Sequence, residues 1–367
     1  MKKILHVVGA RPQFIKAFIT IKSLNKLKFC KNILLNTGQH YDYSMSKVFF
    51  KELKFSNPLI EINLKEKTDR LIKLSEMISK LSRKIKKIKP HLVIVYGDTD
   101  TTLAASIVVR RLQIALMHIE SGLRSDVIDM PEEQNRYISD YLSNYLVAPT
   151  KFAKQNLKYL SKKRDIYNFG DVMYDSILFY KKHIDKKYIE KFNKKNNINE
   201  KYIFLSIHRD SNSNLNLIKK YLKQISEVKK IFFWPVHPKI QKIIKNHKLK
   251  MPNNLIHVKP IPYLDTITAI LGSEFVVTDS GGVQKESYFL NKKCFVLREE
   301  TEWKELISLN SLKLIGNNLL KIQENRRFLN NKIKKNNLYG EGTATKKITQ
   351  LIKKLLKKNE KKNIVKQ

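Results

Sequence analysis

The chain has 367 residues, 42% hydrophobic and 10% aromatic, enough for two α/β cores and too long for one average domain. Its 72 Lys and Arg against 33 Asp and Glu give a formal net charge of +39, which taken alone suggests nucleic acid or an anionic surface. The lysines, however, are dispersed among Asn and Ile, as in KKHIDKKYIEKFNKKNNINEKY, with no zinc-finger spacing and no aromatic-interleaved basic platform. The charge therefore reads as a drift of composition; it counts against nucleic acid as a partner and favours an anionic small substrate.

Apolar strand-like runs alternate with helical patterns along the chain. Residues 4–8 read as a buried strand ending at GARPQ, 14–27 as a helix, and 32–36 as a strand ending at TGQH. MKKILHVV resembles the start of a signal peptide, but its apolar part breaks at Gly9-Ala10-Arg11-Pro12, so a first strand is expected. A long lysine-faced helix is predicted over 68–87, a strand over 91–96 ending at GDTD, a helix over 101–112, and a strand over 115–119 ending at ESGLRS. A helix over 132–144 and a short strand over 145–148 complete the first series.

The second series has a strand over 202–207 ending at HRDSN, a helix over 217–228, and a strand over 231–235 ending at VHPK. A short helix over 266–271 and strands over 275–278, 293–297 and 312–315 follow, before a lysine-rich helical tail. Strands alternating with helices imply βαβ units and parallel sheets, so the fold class is α/β with two doubly wound, Rossmann-like domains. The polar, repetitive stretch over 170–199 marks the boundary. The expected division is 1–172, 173–350 and a basic helix end or tail over 351–367.

Cys30 and Cys294 lie far apart in apolar contexts, which implies no disulfide framework and a reducing, cytoplasmic setting. No apolar run approaches the ~20 residues that span a bilayer. No histidine pair has metal-ligand spacing with a carboxylate partner, so no metal is expected. GARPQF supplies one glycine where a dinucleotide fingerprint needs three, so no nicotinamide cofactor is expected either.

Residues 275–288, FVVTDSGGVQKESY, are the most informative stretch. A β-branched run stops at Asp279-Ser280, a Gly281-Gly282 pair follows, and a helix can start there. That order places free backbone N–H groups and a positive helix end at one point, which suits a phosphate. Glu286, one turn on, can accept from ribose hydroxyls. Arg11 and Lys16 after the first strand form a candidate diphosphate clamp. Asp98 and Glu120 each follow a fully apolar strand, where burial shifts a carboxyl's pKa towards acid–base use. Glu132 and Glu133 follow Pro131 at a helix start; Glu132 joins the candidate proton-transfer set, and Glu133 reads as a helix-end stabiliser. His208-Arg209 at a strand end is a candidate phosphate contact or acid, and His237 lies in PVHP.

Taken in order, GARPQFIK, TGQHYD, YGDTDTT, HIESGLRS with PEEQNR, GDVMYD, HRDSN, PVHP, TDSGGVQKES and REETEW closely resemble the non-hydrolysing UDP-N-acetylglucosamine 2-epimerase family over nearly the whole chain. The resemblance implies a GT-B-like pair of domains facing across a cleft. It implies inversion at C2 of a UDP-linked 2-acetamido sugar, by loss of UDP to a 2-acetamidoglucal and its return, without a cofactor. It also implies a cytoplasmic, homodimeric enzyme that serves polysaccharide biosynthesis. Matched position by position, it makes Asp98, Glu120, Glu132 and His208 catalytic. Arg11, Lys16, Arg136, Ser280, Gly281, Gly282 and Glu286 become substrate contacts. Three departures stand out. HRDSN has Ser211 where many members have Glu, LKEKTDR lacks the pair linked to allosteric activation, and TEWKE over 301–305 replaces TTERPE. The last, with GARPQFIK and VQKE, is similar to a subgroup acting on UDP-2,3-diacetamido-2,3-dideoxyglucuronic acid; a hydrolysing 2-epimerase is the other alternative.

Overall fold

The computed structural model describes residues 1–39, 57–62, 64, 69–334 and 336–364. The His40–Asp42 part of TGQHYD, residues 65–68 of LKEKTDR and the expected helix start at Thr68 lie outside them. The chain divides into two compact units, Met1–Ser176 with Asn337–Gln367, and Ile177–Asn336.

The first unit carries β1 (Lys2–Val8), α1 (Arg11–Leu24), β2 (Cys30–Asn36), β3 (Leu59–Glu61), α2 (Arg70–Ile88), β4 (Leu92–Tyr96) and α3 (Asp100–Arg111). It continues with β5 (Ala115–Ile119), α4 (Pro131–Leu142), β6 (Tyr145–Ala148), α5 (Lys151–Asn156), β7 (Asp165–Asn168) and the start of α6 (Val172–Lys181). The described strands form a parallel sheet in the order β3-β2-β1-β4-β5-β6-β7. β4, LVIVY, is buried at every residue, as a central parallel strand covered on both faces must be. α2 buries Met77, Leu81 and Ile85, four residues apart, and turns its lysines to solvent.

The second unit carries α7 (Lys186–Lys195), β8 (Tyr202–Ser206), α8 (Leu215–Glu227), β9 (Ile231–Pro235), α9 (Pro238–Asn246), β10 (Leu255–Val258), α10 (Tyr263–Gly272) and β11 (Val276–Thr278). α11 (Gly281–Phe289), β12 (Cys294–Val296), α12 (Lys304–Ser308), β13 (Leu312–Leu314), α13 (Lys321–Glu324) and α14 (Arg326–Asn330) complete it. Its parallel sheet runs β10-β9-β8-β11-β12-β13 around an aliphatic and aromatic core that includes Trp234, Phe232 and Phe295.

Two parts of the expected division change. The units part at Ser176/Ile177, within the stretch 170–199 read as the boundary but inside α6 rather than at 172/173; that stretch carries α6 and α7. The chain also returns to the first unit at Asn337, so residues 337–350, expected in the second domain, belong to the first, and the basic stretch expected as a helix end or tail continues α15 (Ala344–Ile364). The reason is packing. Ile348, Ile352 and Leu356 form a buried stripe on α15, which lies on α1 with Ser23 Oγ 2.8 Å from Thr349 Oγ. The Asp175 carboxylate caps α15, accepting from Ala344 N at 3.2 Å and from Thr345 N and Oγ at 2.8 and 2.7 Å.

His6 on β1 is fully buried, with Tyr96 Oη 2.7 Å from Nδ1 and Asn32 Oδ1 3.2 Å from Nε2. Burial lowers its pKa from 6.5 to about 4, against a smaller upward effect of Asn32. The unfolded chain therefore binds a proton first as pH falls. Stability is full above pH 6.5 and declines towards pH 4, by about 3 kcal/mol in all. Urea midpoints measured across that window should fall for the native chain and fall less for His6→Gln; equal slopes would remove His6 as the cause.

Candidate active site

In the first unit, the loops after β1, β4 and β5 and the start of α4 carry the candidates. α1 begins at Arg11, with Pro12 in its first turn, and Lys16 lies in its second turn. The Gln13 side chain organises this corner. Its Oε1 accepts from Gly9 N and Ala10 N at 2.8 and 3.1 Å, and its Nε2 donates to Tyr96 O, Thr99 Oγ1 and Thr102 Oγ1 at 2.6–3.0 Å. Lys16, 4% exposed, pairs its ammonium with Glu120 Oε1. Glu120 itself takes a left-handed φ of 71°, uncommon outside glycine and a form of strain that collects at functional sites.

Asp98 pairs with the Arg136 guanidinium, which also donates from Nη1 to Glu133 Oε2 at 2.7 Å. Glu133 is fully buried and accepts from Ser125 N and Oγ, both at 3.0 Å. It therefore anchors a loop and an arginine, a larger part than the helix-end stabiliser expected. Glu132 is half-buried at the start of α4. Nearby, Asp100 grips Arg70 through two bonds of 2.9 and 2.7 Å. Those bonds come first, with Asp100's and Glu132's negative charge behind them, in raising the Arg70 pKa against the effect of burial. Asn135 ties α4 to the β4–α3 turn, donating to Asp98 O at 2.9 Å and to Asp100 Oδ1 at 3.0 Å. Asp98, Glu120 and Glu132 thus stand on one rim, each tied to or beside a cation, an arrangement suited to moving protons at one small substrate. Arg11, half-buried, opens α1 on the same rim.

In the second unit, exposed His208 lies two residues beyond the end of β8 and buried Asp279 directly follows β11. The Asp279 carboxylate accepts from His208 N, Arg209 N and Asn212 Nδ2 at 2.9, 3.0 and 3.1 Å, and so shapes the HRDSN loop. The His208 ring lies 5.7 Å from that of His237, edge to face. Ser280 is the N-cap residue of α11, and its N–H donates to Thr278 Oγ1 at 3.0 Å. The two glycines differ. A Cβ on Gly281 would collide with Glu302, and Gly281 O accepts from Trp303 Nε1 at 3.0 Å. Gly282 meets only Ser280 Oγ, at 3.8 Å, so it is the one that leaves room for an anion at the helix start. Glu286, 4% exposed, accepts from Tyr263 Oη at 3.0 Å.

Sequence reasoning passed over Gln13, Glu133 and Asp279 as working residues. Each sits inside a motif it had marked, Glu133 and Asp279 next to a chosen residue and Gln13 between Arg11 and Lys16. Among the described residues, no group of three His, Cys, Asp or Glu side chains is placed to hold a metal ion. No helix among them is long and apolar enough to cross a membrane.

In both sheets the strand order reverses where these residues emerge, between β1 and β4 and between β8 and β11, the ligand-binding crevice of open α/β sheets. Two Rossmann-like units of this kind make the chain an α/β enzyme of the GT-B-like class. The family model of UDP-N-acetylglucosamine 2-epimerase matches residues 22–353, and the chain belongs to that family of isomerases acting on sugar nucleotides. It is 39% identical to a UDP-N-acetylglucosamine 2-epimerase homolog of Methanococcus maripaludis over 363 residues, 96% of this chain and 100% of that protein. It is 36% identical to the UDP-2,3-diacetamido-2,3-dideoxy-D-glucuronate 2-epimerase of Pseudomonas aeruginosa over 362 residues, again 96% of this chain and 100% of the relative. The crystal structure of Methanocaldococcus jannaschii UDP-GlcNAc 2-epimerase in complex with UDP-GlcNAc and UDP superposes with a TM-score of 0.85 at 32% identity, covering 96% of this chain and 99% of that one.

Proposed function

We propose that the enzyme inverts C2 of UDP-N-acetylglucosamine to give UDP-N-acetylmannosamine, without releasing free sugar. The carboxylate rim formed by Asp98, Glu120 and Glu132 carries this reading, within a family whose M. jannaschii member has been seen with UDP-GlcNAc and UDP. The C2 proton is not acidic enough for a simple base. Its removal is therefore coupled to departure of UDP from C1: the C2–H electron pair becomes the C1–C2 double bond, and the C1–O pair leaves with UDP. Return of UDP to C1, with a proton delivered to the opposite face of C2, completes the inversion. No hydride moves, so the chemistry calls for no nicotinamide.

Asp98, Glu120 and Glu132 serve the proton transfers, and Arg136 orients Asp98. Arg11 and Lys16 lie on the diphosphate side. Ser280, Gly281 and Gly282 receive the nucleotide phosphates on the α11 N-terminus, Glu286 takes the ribose, and His208 attends the leaving group. Turnover in deuterated water should place deuterium at C2 of the recovered UDP-sugar; turnover without label would sink the proposal, and free sugar appearing as fast as UDP would mean hydrolysis.

The full-length likeness to the P. aeruginosa enzyme, with TEWKE over 301–305, favours a second substrate, UDP-2,3-diacetamido-2,3-dideoxyglucuronic acid. Side-by-side kcat/KM on the two UDP-sugars decides between them. We also place the enzyme in the cytoplasm as a homodimer supplying a surface polysaccharide. Two free cysteines suit the compartment, and exposed Tyr137, Ile138 and Tyr141 on α4 suit a second copy.

A further inference from the structure

β5 ends in His118-Ile119, with Glu120 next, and His118 is fully buried opposite an equally buried Asp140 on α4. His118 Nδ1 lies 2.8 Å from Asp140 Oδ1, and Nε2 lies 2.8 Å from the carbonyl oxygen of Gly97, the residue before Asp98. The other Asp140 oxygen accepts from the N–H of Gly122, two residues after Glu120, at 3.1 Å, and lies 2.8 Å from Arg124 Nη2. One imidazole–carboxylate pair therefore holds both turns that carry Asp98 and Glu120.

The contrast with His6 is chemical. His6 meets a hydroxyl that can donate and an amide oxygen that accepts, the surroundings of a neutral ring. His118 meets two acceptors. A carbonyl oxygen only accepts, so Nε2 carries a proton, and the Nδ1–Oδ1 contact needs a second one. The far Asp140 oxygen already faces two donors, the Gly122 N–H and the Arg124 guanidinium, so the pair is a carboxylate held against a doubly donating ring. Two phenols stand beside Arg124: Tyr159, and Tyr137, whose ring centroid lies 4.1 Å from the guanidinium carbon.

We infer that His118 and Asp140 are a positioning pair, an imidazolium–carboxylate clamp that sets the Gly97–Asp98 and Glu120–Gly122 turns in register for the C2 chemistry. The inference rests on the proposed roles of Asp98 and Glu120. It is tested first without disturbing the site. In the full-length protein labelled with ring 15N-histidine, the His118 signal, identified by its loss in His118→Gln, should show both nitrogens protonated. A bare ring nitrogen there overturns the clamp.

In the second arm, Asp140→Asn should lower kcat roughly 10²-fold, the cost of a small misplacement of reacting groups, with KM and UDP affinity unchanged. Adding His118→Gln to it should cost little more, because the two act as one unit. Near-native kcat in Asp140→Asn, or fully additive losses, would also overturn it. Should Asp140→Asn not fold, the ring measurement on the native chain decides alone. A native enzyme with no epimerase turnover would refute the proposed function while leaving that measurement intact.

Discussion

Glu120→Gln should lower turnover by roughly 10²–10⁴-fold, the usual contribution of a positioned acid or base, while UDP still binds. The substitution keeps the shape of the side chain and removes its charge. It also leaves the nearly buried Lys16 ammonium without its counter-ion, so the rim loses a proton acceptor and a fixed ion pair together. The nucleotide contacts assigned to Ser280, Gly282 and Glu286 belong to the other unit and are untouched. Calorimetric titration with UDP beside steady-state epimerisation makes the separation visible. Near-normal turnover would take Glu120 out of the chemistry; loss of UDP binding would mean that the substitution disturbs more than the rim.

Gly122→Ala should destabilise the first unit by about 3 kcal/mol. Gly122 holds φ at 81°, a region that side chains rarely enter. An added Cβ would fall far inside van der Waals contact of the Ala153 carbonyl oxygen and 2.9 Å from the carbonyl carbon and from Leu157 Cδ1. Two of those atoms are helix backbone, which cannot rotate aside. The same shift pulls the Gly122 N–H from Asp140. The midpoint of urea unfolding followed by far-UV circular dichroism should drop, and an unchanged midpoint would show that the α5 backbone yields easily.

The interior strands were the legible part of the fold. β4, β5, β6, β8 and β9 are apolar runs that read directly as strands, because both faces are covered. β3, β7 and β10 lie at sheet edges with exposed or half-exposed residues such as Leu59, Glu61, Asp165 and His257, so no run marks them. α7 was hidden for a related reason: KKYIEKFNKK reads as polar repetition, and only Phe192 goes under. Within the candidate site, the placement of Asp98, Glu120 and Glu132 was legible because each follows a strand end or opens a helix. The anchors Glu133, Asp140 and Asp279 were not. A buried carboxylate shows its purpose only through the N–H groups that surround it, and those come from loops distant in the chain, as when Asp279 collects His208 and Arg209. The destination of the last helix was hidden in the same way, since a basic amphipathic stripe does not say which partner it covers.

The chain's excursion from one unit and back sets an order of assembly. During translation, residues 177–336 leave the ribosome as an uninterrupted segment before α15 has been made. The nascent first unit therefore waits, with the α1 surface that Ile348, Ile352 and Leu356 later cover still bare to chaperones and to neighbouring polypeptides. Closure of that unit waits for α15, and a stop codon before residue 344 would leave a finished inserted unit attached to a first unit with an open seam.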